Sequence, residues 1–117
     1  MAGVNGTYGI VKDHAFHVSA VAAADGSPFE VGAYKTLAVD IDGAPTSHTV
    51  LFKCTGANGV EKTLKGMKVS DWATGTSTSG TSETWQFDIT GLKTVIMDIS
   101  AMVPGAGSLT VKGTAVA

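Results

Sequence analysis

Asp40 and Asp42 lie two residues apart, so in a strand they share one face, and Asp88 and Asp98 fall at matching polar positions of later segments. Carboxylates on neighbouring strands could hold Ca²⁺, which takes about six to eight oxygen ligands. No Asp-rich loop of ligand spacing accompanies them, so they are expected to face solvent and to keep strand edges from pairing wrongly. Glycosidase chemistry needs one of two acids in an apolar pocket that raises its pKa, and nothing in the sequence marks such an acid. His14 and His17 are three apart, which in a strand puts them on opposite faces and argues against a shared metal. With His48 they are expected at polar surface or edge positions, because no His-Glu-x-x-His or Cys-x-x-Cys motif accompanies them. Cys54 alternates with Val50 and Phe52 and reads as a small buried hydrophobe rather than a nucleophile. Gly-x-Ser-x-Gly is absent, and Gly105-Ala106-Gly107 precedes a strand pattern where a phosphate cradle needs a helix. No catalytic residue, cofactor or metal site is expected, and the chain reads as a non-enzyme.

The remaining chemistry is that of contact. Trp72, Trp85, Tyr8 and Tyr34 could build a platform for stacking sugars. Trp85 is in phase with Phe87 and Ile89, so it reads as core. Trp72 follows Ser70-Asp71 and borders a Thr/Ser-rich stretch. It is the first candidate for a surface contact, with Tyr8 and Tyr34 as further members of an interaction surface.

The elements that must position these residues are strands. Apolar residues alternate with polar ones over 34–42, 48–54, 83–90, 93–100 and 108–116, the period of a half-buried strand. A weaker copy runs over 63–69. Tyr8 to Val11 and His14 to Val21 read as two short strands, the second with Phe16, Val18 and Ala20 on one face. Asp42-Gly43-Ala44-Pro45, Gly56-Ala57-Asn58-Gly59, Thr90-Gly91 and Pro104-Gly105-Ala106-Gly107 supply turns. Thr74 to Ser82 is low in complexity and polar, and reads as a long, mobile surface loop. No window carries a helical stripe. The expected fold is all-β: an antiparallel, jelly-roll-like β-sandwich of about eight short strands in two sheets. It would occupy residues 7–117 as one domain, behind a flexible N-terminal arm over 1–6 able to add a strand to a neighbour's sheet.

Composition narrows the partners. Charged residues are only 15% of the 117, against a usual share of about 25%, so the surface must be covered by Thr, Ser, Gly and Ala. Such residues lose little side-chain entropy when buried, which suits lasting protein contacts. There is no Arg and no basic patch, so nucleic acid is not an expected partner. A lone cysteine excludes an intramolecular disulfide, no signal peptide is read, and no apolar run approaches the ~20 residues of a membrane span.

Phe87-Asp88-Ile89-Thr90-Gly91-Leu92-Lys93-Thr94-Val95, a further strand, and the closing stretch Gly107 to Ala117 with Ser108-Leu109-Thr110-Val111-Lys112-Gly113 resemble the last strands of small β-sandwich proteins from the structural gene clusters of tailed phages. That resemblance implies a virion component assembled in the host cytoplasm. The expected role is capsid decoration as a homo-oligomer, possible as a trimer, in contact with a major capsid or other virion protein through small-residue surface and strand edges. The alternatives are a head-fibre base, a tail or baseplate accessory, or a carbohydrate-binding sandwich.

Overall fold

The computed structural model describes residues 10–117, so the expected arm over 1–6 and Tyr8 lie outside the described residues. Eleven strands follow in order: β1 Val11–Ala20, β2 Phe29–Glu30, β3 Thr36–Gly43, β4 Ser47–Thr55, β5 Glu61–Thr63, β6 Gly66–Lys68, β7 Thr74–Gly75, β8 Ser77–Thr78, β9 Ser82–Asp88, β10 Thr94–Val103 and β11 Leu109–Val116. Six are long and five have only two or three residues, which accounts for the larger number than expected. They form two antiparallel sheets. One runs β1-β11-β3-β9-β6-β7, the other β2-β10-β4-β5, with β8 also pairing β4. β3 pairs β11 in the first sheet while β4 pairs β10 in the second, so a two-stranded ribbon rolls from sheet to sheet. The fold is an all-β, jelly-roll-like sandwich.

Strict alternation drives its core. Leu37, Val39 and Ile41 of β3, Val50, Phe52 and Cys54 of β4, Trp85 and Phe87 of β9, and Val95, Met97 and Ile99 of β10 are all buried. Phe52 bridges the sheets, its ring centroid 4.9 Å from that of Trp85 and 5.0 Å from that of Phe87. Burial pushes the Cys54 thiol up, against an opposing pull from Lys62.

β1 departs from the expected pair of short strands. It is one strand, and its pairing with β11 shifts register between Ala15 and His17 and again between His17 and Ala20. Such bulges break the in-out beat. Phe16 and His17 therefore both turn inward, Val18 turns out, and Ser19 takes a φ of 50°. His17 is not a surface residue: its Nε2 lies 2.6 Å from the Met97 carbonyl of β10 and ties the two sheets along one side. Gly26, at φ 74°, is required there, since any side chain would run into the His17 ring. His48 is buried too, at the start of β4, because it is in phase with Val50 and Phe52.

The Thr/Ser stretch also differs from expectation. Thr74 to Ser82 is not one long loop. β7 pairs β6 in the first sheet, β8 pairs β4 in the second, and Phe52 N–H donates to Thr76 O at 3.0 Å between them. Threonine suits a strand, and here its hydroxyls satisfy the crossing: Gly80 N–H donates to Thr78 Oγ1 at 3.1 Å.

Candidate interaction surface

The β6–β7 hairpin is held by a dense set of bonds around a short turn. Lys68 N–H donates to Ala73 O at 2.8 Å, Trp72 N–H to Lys68 O at 2.8 Å, and Ala73 N–H to Asp71 Oδ1 at 3.0 Å. The turn places Trp72 at φ 62° with 61% of its surface exposed. Left-handed backbone is costly for a bulky residue, of order 1–3 kcal/mol, and persists where the surroundings over-determine it. Trp72 is the one exposed aromatic ring of Phe, Trp or Tyr among the described residues. Tyr34 is half-buried, its ring centroid 5.9 Å from that of Phe29 after a turn in which Tyr34 N–H donates to Val31 O at 3.0 Å.

Glu83 anchors the hairpin from β9. It accepts the Thr78 hydroxyl and, at 3.0 Å, Trp85 Nε1, and it faces Lys68 Nζ at 3.6 Å. Lys68 Nζ also reaches Asp71 at 3.7 Å and lies 6.0 Å from the Trp85 ring centroid. Burial opposes the Glu83 charge, but the bonds from Thr78 and Trp85 and the Lys68 ammonium outweigh it and hold the carboxyl below its ordinary value. The folded state thus holds Glu83 more acidic than the unfolded chain does, so its stabilisation is present above the ordinary value of 4.5 and fades as pH falls through the lowered one. The thermal midpoint is expected to decline on acidification below pH 4.5, and Glu83→Gln, which cannot titrate, to flatten part of that decline. Superimposable midpoint-against-pH curves for the two proteins would rule this out.

The outward residues of the first sheet line up across strands. Val11, Val116, Thr36 and Asp88 form one row, and Asp13, Thr114, Ala38, Gln86 and Met67 the next. The part of these rows on β11, β3, β9 and β6 frames a groove of about 400 Å³ whose apolar walls include Ala38, Met67 and Val116 and whose polar rim includes Thr36, Gln86 and Asp88. The Thr90 backbone N–H, 3.1 Å from Asp88 Oδ1, and then its hydroxyl hold the Asp88 carboxyl below the usual range. Asp40 and Asp42 lie further along the same outward face, toward the hairpin, where Asp40 accepts the Thr84 hydroxyl at 2.7 Å. Asp98 is not with them: it is buried in the second sheet against Lys53 Nζ at 2.9 Å, which itself also contacts Glu61. Among the described residues no three His, Cys, Asp or Glu side chains are grouped to hold a metal.

The connections over 44–46, 69–73, 79–81 and 104–108, at the hairpin end, contain no Lys and one acid, Asp71. The connections over 31–35 and 89–93, at the groove end, carry Lys35 and Lys93. The sequence alone pointed to Trp72. It did not reveal Glu83 or the groove, whose only local signal is small or apolar residues, Ala38 and Val116, at outward positions of the strand period.

A family model described as XepA matches residues 11–115. The chain belongs to the XepA family. Among its relatives in Bacillus subtilis (strain 168), the uncharacterized protein YqxG is 38% identical over 104 residues, covering 89% of this chain and 34% of YqxG. The crystal structure of YomS, an SPbeta prophage-derived protein of the same organism, superposes with a TM-score of 0.85 at 34% identity, covering 92% of this chain and 93% of YomS. The crystal structure of XepA, an exported protein of the phage-like element PBSX of that organism, superposes with a TM-score of 0.88 at 36% identity. It covers 92% of this chain and 38% of XepA. The XepA-family chain therefore spans about a third of YqxG and XepA but nearly all of YomS. Two of these homologues, YomS and XepA, derive from a prophage and a phage-like element, and the sandwich is shared with them.

Proposed function

We propose that this XepA-family chain is a non-enzymatic structural protein of a phage particle, decorating the head as a homo-oligomer through protein–protein contacts. The observation that carries this reading is Trp72: a large apolar ring held in solvent by a bonded turn, at backbone angles that disfavour it. A buried aromatic anchor is the commonest source of binding energy between proteins. The low-charge surface around it, and the phage origin of YomS and XepA, agree with a role in assembly. Particles of the phage element that encodes the chain, banded on a density gradient and separated into heads and tails, are expected to carry it on the heads in many copies. Its recovery only from the particle-free fraction overturns the reading. One observation favours a second possibility, a module acting outside the cell and apart from particles: the neighbour XepA is described as an exported protein. Accumulation in the culture fluid without particles is the result that reading expects.

A further inference from the structure

We infer that His48 is an acid-sensitive latch: neutral, it closes the corner where the rolled ribbon passes between the sheets, and taking up a proton opens that corner. The latch does not depend on the chain's decorating a phage head.

His48 is the first buried residue of β4, in phase with Val50 and Phe52 and only 4% exposed. Neither ring nitrogen touches solvent, and neither meets a hydrogen-bond partner among the described residues. Buried polar atoms are nearly always paired, and an unpaired charge costs far more to bury than a neutral ring. The surroundings offer an imidazolium nothing. Met102 stands opposite on β10, next to Ala101 and Val103. The connections over 44–46 and 104–108 contain no ionisable side chain, and Pro45 among them is buried. On the first sheet the inward residues at this end are Ile41 and Leu109, while Asp42 is exposed on the outer face. Two titratable groups lie inward nearby, and both are engaged. Glu83, beside Ile41 on β9, is bound by Thr78, Trp85 and Lys68. His17, beside Val111 on β1, gives its Nε2–H to Met97 O.

An imidazole in water takes a proton at about pH 6.5. His48 meets water only when the corner opens, so the open form binds one proton that the closed form does not. Closure is therefore complete above about pH 6.5 and weakens about tenfold for each pH unit below it. Glu83 adds nothing in this window, because its stabilisation fades only below 4.5. His14 and His17 each donate to a carbonyl, a bond that a second ring proton leaves in place.

The test is amide hydrogen exchange of the full chain across this window, corrected for the pH dependence of the intrinsic rate. The reporters are the amides of Ala44 and Gly107, which close the corner by donating to Ser108 O and Pro104 O. Their opening constant is expected to rise about thirtyfold from about pH 7.5 to about pH 5, the effect of one proton. His48→Leu keeps an apolar side chain in place and cannot take a proton, so it is expected to flatten the rise. His14→Gln is expected to leave the rise whole. A second readout needs no variant to fold: in wild type, the ring carbon chemical shifts of His48 are expected to report the neutral form for as long as Ala44 and Gly107 stay protected. An opening constant that is equal at the two pH values overturns the latch. So does a His48 ring that charges while both amides stay protected, a full rise in His48→Leu, or loss of the rise in His14→Gln.

Discussion

Phe52→Ala is expected to remove about 3–5 kcal/mol of folding stability, the largest loss from any single truncation in this core. Phe52 is fully buried on β4 and is the ring through which the second sheet meets Trp85 and Phe87 of the first. Its removal loses the burial of the ring and both aromatic pairings, and it opens a cavity between two sheets that are hydrogen-bonded along their lengths and cannot collapse into it. Domains of this size have about 5–15 kcal/mol in total, so roughly a fifth or more of the stability would go. The midpoint should fall by roughly 10–20 °C. Calorimetry or thermal circular dichroism measures it, and a shift under a few degrees would mean that the sheets are not joined through this ring.

The second large effect is expected at a corner without any side chain. Gly107 lies in the connection from β10 to β11, and a Cβ there would run into the Ala44 carbonyl of the connection from β3 to β4. The close approach is held by Ala44 N–H donating to Ser108 O at 3.1 Å and Gly107 N–H to Pro104 O at 2.9 Å. Gly107→Ala must spread the two corners where the rolled ribbon turns, straining the backbone and breaking the Ala44 bond. A loss of about 2–4 kcal/mol is expected from overpacking and the lost bond together. Gly56→Ala is the matched control: a Cβ there meets nothing, so stability should stay level or rise by up to about 1 kcal/mol through the unfolded chain. Equal effects of the two substitutions would show that close packing at Gly107 is not the cause.

Where the alternation is local and uninterrupted, it was legible. Leu37, Val39, Phe52, Trp85, Phe87 and Val111 are where a period of two places them, and both sheets follow from that. β1 was not legible, because a bulge is set by what the neighbouring strand demands: Phe16 and His17 both turn in to meet the core and the Met97 carbonyl. The stretch from Thr74 to Ser82 departs from its composition for a related reason. Its composition speaks of a loop, whereas its pairing with β6 and β4 comes from elements distant in sequence. Tyr34 folds onto Phe29 through a turn at Val31 that no pattern marked. The groove lay hidden because only cross-strand register brings Ala38, Gln86 and Met67 into one row.

The free margins of both sheets have a consequence for crowding. Three of the four outermost strands, β2, β5 and β7, have only two or three residues, and the long one, β1, is kinked twice. Among the described residues the unkinked part of a long outer edge is confined to Val11–Ala15 of β1, so copies gathered at high local density are offered little main chain to template fibril growth. A repeating lattice could concentrate the described sandwich with its short and kinked margins offering little for neighbouring sheets to zip onto.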